Sequence, residues 1–585
     1  MLDAAAFLNV AHSATGRRWV GPGPDVTRRG EAIAQTAALP EIVGRVLAGR
    51  GVAPDAAADY LAPSLRALMP DPCVLRDMEA AADRLACAAR RRERVAIFGD
   101  YDVDGAASSA ILARWLRATG AEATIYIPDR IDEGYGPNVP AMRSLAADHR
   151  LIVCVDCGSL SFDPVAAARA AGAEVAILDH HLCAETLPEA LAVVNPNRQD
   201  ETAGLGHLCA AGVAFMAVVA ANRVLRAQGA TAPDPMAWLD LVALATVADV
   251  APLVGLNRAF VRQGLKVMGR RRNPGLCALS DAARLSGPPN SFHLGFLLGP
   301  RVNAGGRIGA ADLGARLLTT EDAAEAAAIA ARLDALNAER REIEAAVQAA
   351  AVEQAEARGA DGPLVWAAGE GWHPGVVGIV ASRLKERFNR PAVVIGIDAA
   401  GEGKGSGRSV EGVDLGASVA TLAREGLIAK GGGHRMAAGL TLARDQLDAA
   451  MDRLSALLAR QGAGRGGPTD LRLDGLLAPG GATVDLAETL EAAGPWGASA
   501  PAPAFAMAGV RLAFVKPAGE RHLRLTLEDG SGRMDAIAFN ALGGPLGDFL
   551  SERVGGAAHV AGRLEIDDWG GRRRAKLRVE DAAPV

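Results

Sequence analysis

The sequence predicts an α/β protein in several units: a doubly wound parallel sheet, a long connecting helix, a second and smaller α/β unit, and a C-terminal OB-type β-barrel. Three observations predict it. From about residue 91 to 250, short β-type apolar runs alternate with Ala-rich helical stretches. Residues 321–358 are rich in Ala, Glu and Arg and contain neither Gly nor Pro. Beyond about residue 470 the hydrophobic period changes to two. Alternating strand and helix patterns close into a parallel sheet with helices on both faces, and ligands of such sheets sit at the carboxyl ends of the strands. At 585 residues the chain is also too long for one core.

In order along the chain, residues 1–90 read as a helical and irregular region without identifiable chemistry. Residues 91–320 carry the first α/β pattern, with strands expected at 95–98, 123–127, 151–155, 175–178 and 192–194. A connecting helix is expected over 321–360, where good helix formers run without a breaker as far as Arg358. A second α/β unit follows over 361–462, with Ala392-Val393-Val394-Ile395 as one of its strands. Gln461-Gly462-Ala463-Gly464-Arg465-Gly466-Gly467-Pro468 is the clearest linker. In the last unit, 470–585, the segments 523–527, 560–566 and 575–579 alternate, with turns at Asp529-Gly530 and Trp569-Gly570-Gly571. Several short strands with basic outward positions point to an OB-type barrel, although alternation alone fits a β-sandwich equally well.

Composition narrows the setting. Seven cysteines lie scattered without a paired framework, which suits a reducing compartment. Met1-Leu2-Asp3-Ala4 lacks the basic start of a signal peptide, and no uninterrupted apolar run reaches membrane length. A cytoplasmic protein without a membrane span is expected. The net charge of −6 argues mildly against a nucleic-acid partner, but a carboxylate-rich metal site inflates the negative count. Arg270-Arg271-Arg272 and Arg572-Arg573-Arg574 are local basic runs of the kind that is more often a solvated face than a binding site.

The most informative stretch is Gly99-Asp100-Tyr101-Asp102-Val103-Asp104-Gly105, directly after Val95-Ala96-Ile97-Phe98. Three carboxylates at alternate positions on a strand-end turn repel one another and lose hydration when enclosed. A divalent cation removes both penalties. Asp156 ends the run Val153-Cys154-Val155, Asp179-His180-His181 follows Val175-Ala176-Ile177-Leu178, and Asp249 sits inside a hydrophobic segment. Singly, each acid reads as a turn former or helix N-cap. Together, Asp102, Asp104, Asp156, His180 and Asp249 read as a two-metal phosphoesterase site, with Mn²⁺ or Mg²⁺ as the hard cations and imidazole favouring Mn²⁺. Asp156, the single acid on a central strand end, is the natural bridge.

Asp100-Tyr101-Asp102-Val103-Asp104-Gly105 with Asp179-His180-His181 resembles the DHH phosphoesterase superfamily. Within it, the sequence is similar to the bacterial exonucleases that degrade single-stranded DNA in the 5′→3′ direction. Other matching motifs are Arg130 with Glu133-Gly134-Tyr135-Gly136, Leu208 to Phe215, and Gly299-Pro300-Arg301-Val302-Asn303-Ala304-Gly305-Gly306-Arg307. Later ones are Trp372-His373-Pro374-Gly375, Gly405-Ser406-Gly407-Arg408-Ser409 and Gly431-Gly432-Gly433-His434, which resemble the DHH-associated domain. The resemblance spans residues 90 to 585. It implies Asp102, Asp104, Asp156, His180 and Asp249 as ligands of two divalent ions, and His181, Asp179 and Asp100 as catalytic residues. His181 would lie beside the scissile phosphate, with Asp179 orienting the histidine pair. It further implies that Arg130, Ser406 and Arg408 hold a 5′-phosphate, and that Arg301, Asn303, Arg307 and His434 contact the scissile region.

The sequence departs from the superfamily at Phe98, where some members carry a metal-binding His, and at Gly497-Ala498-Ser499-Ala500-Pro501, at a domain junction. Gly405 to Ser409 is expected as a flexible phosphate-binding loop, its Gly spacing matching neither a P-loop nor a dinucleotide fingerprint. Cys154 and Cys157, without a second pair, read as packed and reduced. His373 fits helix entry and substrate contact equally. The resemblance also implies a monomer acting in DNA repair and recombination, with single-strand-binding protein and helicases as partners. Two other functions stay in view: a DHH hydrolase of pyrophosphate, cyclic dinucleotides or short RNA, and a non-catalytic DNA-binding scaffold. The C-terminal β-unit argues against the first, and the full ligand set against the second.

Overall fold

Strands β1 (Arg94–Gly99), β2 (Glu122–Tyr126), β3 (Leu151–Val155), β4 (Glu174–Leu178) and β5 (Ala192–Val194) pair in the order β2-β1-β3-β4-β5, all parallel. The computed structural model describes residues 6–130, 133–464, 469–568 and 572–585. Trp569-Gly570-Gly571 and the linker residues 465–468 lie outside the described residues. The central strands bury both faces, as a parallel sheet covered by helices requires. Val95, Ile97, Val153 and Leu178 join the core beneath α1 (Val103–Thr119) and α2 (Ala210–Ala227). Ala96, Phe98, Cys154 and Ile177 join the opposite core, with Met142 and Val165. Phe98 is spent on packing there, its ring 5.3 Å from that of Tyr126. Cys154 and Cys157 are free, buried thiols in the same layer, so the packed reduced reading holds.

Strand order reverses between β1 and β3. At such a switch point the two following loops part and leave a crevice at the strand ends. The Asp100–Asp104 run follows β1 and Asp156 follows β3, so the topology itself brings the acids together. Helix α2 is long and apolar enough to cross a membrane, yet 72% of it is buried inside the protein. It packs on α1 and on the helix Met78–Arg91 as a core helix.

Helices α3 (Leu239–Ala248) and α4 (Gly299–Ile308) complete this unit, and α5 (Ala323–Arg358) leads out of it. Beyond lie β6 (Val365–Glu370), α6 (Pro374–Phe388), β7 (Ala392–Ile397), β8 (Glu402–Arg408), β9 (Lys430–His434) and β10 (Ala437–Ala443). Their sheet runs β9-β10-β8-β7-β6, parallel only between β6 and β7. The expected flexible loop at Gly405–Ser409 is therefore corrected: Gly405, Ser406, Gly407 and Arg408 belong to the central strand β8. A Cβ on Gly405 would stand 2.8 Å from Ile395 Cγ1, and one on Gly407 2.7 Å from Leu415 Cδ2. These glycines are there for close packing, not for mobility.

The last unit is a closed barrel of β11 (Phe505–Ala518), β12 (His522–Asp529), β13 (Gly532–Ala538), β14 (Ala557–Asp567) and β15 (Arg574–Ala583), which removes the sandwich alternative. The early residues pack on it. Arg18–Val20 pairs in parallel with Asp470–Arg472, and buried Trp19 donates its indole N–H to Asp581 at 2.9 Å. Ile33, Val43 and Leu47 share a core with Leu486, Leu490 and Phe505. The segment at 497–501 is a junction, as expected: Leu253 N–H donates to Ala498 O at 2.8 Å, and Ala500 is buried in the first core. Both basic runs are solvated faces held by ion pairs, Arg271 to Asp281 and Arg573 to Glu488 and Asp568.

Candidate metal centre

The acids after β1 are fixed by the start of α1. Asp102 caps that helix, one carboxylate oxygen accepting from Asp104 N–H at 2.8 Å and Gly105 N–H at 3.1 Å. The cap and ligand readings are thus compatible, since the second oxygen is not used by the cap. Asp104 is fully buried, and its two oxygens accept from Ala210 N–H (2.6 Å) and Ala211 N–H (2.8 Å). Those donors open α2, where unpaired N–H groups and the helix dipole favour an anion. Asp156 takes a left-handed backbone (φ 59°), a strained state for a non-glycine residue and a frequent mark of functional sites. Asp249 follows the last turn of α3.

These elements converge. His180 Nε2 lies 3.3 Å from Asp156 Oδ1, 3.7 Å from Asp104 Oδ2 and 3.9 Å from Asp249 Oδ2. Among the described residues, three groups have ligand atoms within 4.8 Å of one another: Asp100, Asp102 and Asp156; Asp104, His180 and Asp249; Asp156, His180 and His181. Burial and mutual repulsion push the carboxyls of Asp100, Asp104 and Asp156 above the usual carboxylate range, and that of Asp249 up to about 8. Asp179 behaves oppositely. Despite burial, its hydrogen bonds to His181 and Ser159 hold it below the usual range. It accepts from His180 N–H (2.7 Å), His181 Nδ1 (2.8 Å) and Ser159 N–H (3.2 Å), which fixes the histidine pair.

Tyr135 is a residue to which motif reading gave no role. Its hydroxyl donates to Asp156 O (3.1 Å) and stands 3.2 and 3.3 Å from the ring nitrogens of His181. The signal was present in Glu133-Gly134-Tyr135-Gly136, but nothing local ties that segment to residue 181.

Sequence profiles match in the order of the units: the DHH family, N-terminal domain, over residues 94–246; the DHHA1 domain over 361–460; and the RecJ OB domain over 473–581. A single-stranded-DNA-specific exonuclease RecJ from Dickeya dadantii is 39% identical, covering 94% of this chain and 96% of its own. The chain belongs to the RecJ family. A crystal structure of RecJ in complex with Mn²⁺ from Thermus thermophilus matches with a TM-score of 0.81 at 30% identity, covering 96% of this chain and 79% of that one. The Mg²⁺ complex from the same source matches at 0.74 and 28%, covering 97% and 78%.

The residues present here fit such ions. Asp156 Oδ1 is buried without a hydrogen-bond partner, an atom that a cation would satisfy. The surrounding donors are carboxylate oxygens and imidazole nitrogens, the set that hard divalent ions and Mn²⁺ select. Family resemblance therefore agrees with local chemistry.

Across the crevice the charge changes sign. Ser406 and Arg408 line the face of β8 that meets α6, with Arg408 Nη1 donating to Ser406 Oγ at 2.9 Å. Burial and the nearby charge of Arg130 pull Arg408 below its ordinary value. Arg307 is pushed down to about 10 by burial and by neighbouring Arg130 and Arg340. Arg130 lies over the Tyr101 ring at 5.1 Å, and its charge also reaches Asp100. Asn303 Oδ1 accepts from Val103 N–H (3.0 Å), holding the acidic loop, and Arg307 donates to Gly375 O (3.1 Å). Arg301 is committed elsewhere, to Asp334 at 2.8 Å and Leu297 O at 2.8 Å. His434 is exposed on the edge strand β9. His373 caps α6 by accepting from Gly375 N–H at 3.0 Å, which favours helix entry.

Proposed function

We propose that this RecJ-family protein removes 5′-mononucleotides from single-stranded DNA in the 5′→3′ direction, with two divalent ions, Mn²⁺ or Mg²⁺. One observation carries the reading: the charge of Arg130 reaches both the cluster of acids and imidazoles, at Asp100, and the guanidiniums of Arg307 and Arg408. The acids match cations, and the guanidiniums match a terminal phosphate dianion. A clamp on that phosphate beside the centre determines which ester reaches it, so the product is a single nucleotide.

In this reading Asp102, Asp104, Asp156, His180 and Asp249 hold the ions, with Asp156 shared between two ligand groups. When bound, two ions neutralise the non-bridging phosphate oxygens and lower the pKa of water. His181 is held at Nδ1 by Asp179, which directs its other nitrogen toward the scissile phosphate. Asp100, buried and within reach of the Arg130 charge, completes the acidic wall. Arg130, Ser406 and Arg408 hold the 5′-phosphate. Asn303 and Arg307 position the acidic loop against the second sheet, and His434 is assigned to a strand contact, while Arg301 is engaged by Asp334 and Leu297 O and braces α4 instead. The domain limits in this reading are 1–90, 91–320, 321–360, 361–462 and 470–585. The expected setting is a monomer in the cytoplasm, in repair and recombination with single-strand-binding protein and helicases.

Release of labelled nucleotide from 5′-phosphorylated single strands, with and without Mn²⁺, tests the reading. Metal-dependent mononucleotide release from the 5′ end is expected. Release from the 3′ end, equal attack on duplex, or hydrolysis of pyrophosphate alone would overturn it.

A further inference from the structure

His180 and His181 leave the end of β4 with their backbone held from both sides. The Asp179 carboxylate takes up the N–H groups of both residues. Their carbonyl oxygens have no ladder partner beyond the strand end, and side-chain amides supply one. Leu178 pairs with Val194 in the parallel pair β4–β5, so Asn195-Pro196-Asn197 leaves the edge strand beside the histidines. Asn195 Nδ2 donates to His181 O at 2.9 Å, and Asn197 Nδ2 donates to His180 O at 2.5 Å. Fixing N–H and C=O on either side of a residue fixes φ and ψ, and hence the direction in which its Cβ leaves the chain.

Each asparagine reaches a second loop, and the two loops differ. Asn195 is fully buried; its amide also donates to Ser159 Oγ at 2.9 Å, and its oxygen accepts from Asn197 N–H at 2.8 Å. Ser159 N–H in turn donates to Asp179, so a closed ring of bonds runs through Asn195, Ser159, Asp179 and His181. Asn197 Nδ2 instead reaches Gly206 O at 3.4 Å, on the turn that leads into α2. The first N–H groups of α2 hold Asp104, so one amide spans the loops of His180 and Asp104, which share a ligand group with Asp249. The turn passes close to that amide: a Cβ on Gly206 would stand 2.6 Å from Asn197 Oδ1. An amide is neutral, so both residues sit beside the acids without adding to their repulsion.

We propose that Asn197 and Asn195 are positioning residues with separate effects: Asn197 sets the affinity of the metal group that contains His180, and Asn195 sets the turnover that depends on His181. The inference rests on the reading of His180 as a metal ligand and of His181 as the group beside the scissile phosphate. Partners that orient a ligand from outside the metal shell influence affinity and activity about 10–100-fold. Here the two effects are divided between neighbouring amides, because each holds one histidine.

The test combines Mn²⁺ binding to the full-length protein, read by electron paramagnetic resonance of the free ion, with turnover at saturating Mn²⁺ and thermal unfolding in chelator. N197A should raise the half-saturating Mn²⁺ concentration about tenfold or more, with turnover recovered once Mn²⁺ is saturating. G206A, which displaces the Asn197 side chain while leaving it in place in the sequence, should act in the same direction. N195A should keep the wild-type Mn²⁺ midpoint and lose about tenfold or more in turnover. N195D, which keeps the oxygen that Asn197 N–H needs and loses the donor to His181 O, should lose turnover likewise. Unfolding in chelator should stay close to wild type for all four. Equal losses of affinity and turnover in N197A and N195A, or losses that follow a lowered unfolding temperature, would make the asparagines braces of the fold and overturn the proposal. H180A separates the proposal from the reading beneath it. Weakened Mn²⁺ binding in H180A with none in N197A or G206A would overturn the tie alone, whereas unchanged Mn²⁺ binding in H180A would overturn the ligand reading and the tie with it.

Discussion

The two sheets that face the crevice reach charge in opposite ways. In the first, the acids stand at strand ends and are fixed by backbone N–H groups: Asp102 by the start of α1, Asp104 by the start of α2, Asp179 by the loop it caps. In the second, Ser406 lies within β8 and Arg408 is its last residue, and alternate glycines let that strand lie flat against its core. Turn-borne charges are anchored through the main chain, so replacing one disturbs a loop as well as a ligand. Strand-borne charges are held by side-chain contacts, so replacing one removes a single function. The contrast predicts a steep centre and a graded pocket.

Asp156→Ala should have the largest effect. It removes the carboxylate shared by two ligand groups, and loss of a preorganised charge-stabilising group costs about a hundredfold or more in turnover. Single-strand binding should survive. Retention of more than a few per cent of turnover at saturating Mn²⁺ would remove Asp156 from the bridging role. Arg408→Ala comes next. A hydrogen bond to a charged group contributes about 1.5–3 kcal/mol, so preference for 5′-phosphate over 5′-hydroxyl strands should fall about tenfold or more. Equal slowing on both strands would show that Arg408 does not read the terminal phosphate.

Gly375→Ala tests how the two halves are registered. A Cβ there would stand 2.3 Å from Arg307 O, so α6 must retreat from α4, and overpacking of this kind costs about 1–3 kcal/mol. Turnover should fall by up to about tenfold while the Mn²⁺ dependence keeps its midpoint. A shifted midpoint would mean that the first half depends on the second. The smallest effect is expected on the barrel, where Arg524 is exposed and Arg578 half-buried. Each alanine substitution should lower the slope of log affinity against log salt by about 0.7 if that residue meets a phosphate. An unchanged slope would take that side chain off the strand path.

Much of this arrangement was legible in the sequence. The parallel strands were found because both their faces are buried and their apolar runs are continuous, and the acids were found because they end those runs. Closure of the barrel was not legible, since alternation is the same in a sandwich. Nor was the strand at Gly405–Arg408, because glycines that serve close packing look like glycines that serve a loop. The attachment of Asp104 to Ala210 and Ala211, and of Tyr135 to His181, joins residues far apart in sequence, and no local pattern records such pairs. Arg301 shows the reverse case: a motif arginine whose donors are taken up by the connecting helix and the preceding turn.

The parallel pairing of Arg18–Val20 with Asp470–Arg472 also bears on how the protein is made. Trp19 finds its acceptor on Asp581, and Ile33, Val43 and Leu47 find theirs among Leu486, Leu490 and Phe505. A chain emerging from the ribosome therefore carries this apolar surface unpaired until residues 486–505 are added, and Trp19 without its acceptor until Asp581, while the first sheet has all its strands much sooner. Contacts that span so much sequence form late and expose aggregation-prone surface in the interval. The nuclease centre is thus assembled during synthesis, and the early segment awaits the barrel, so holding chaperones would act on residues 6–61 of the nascent polypeptide.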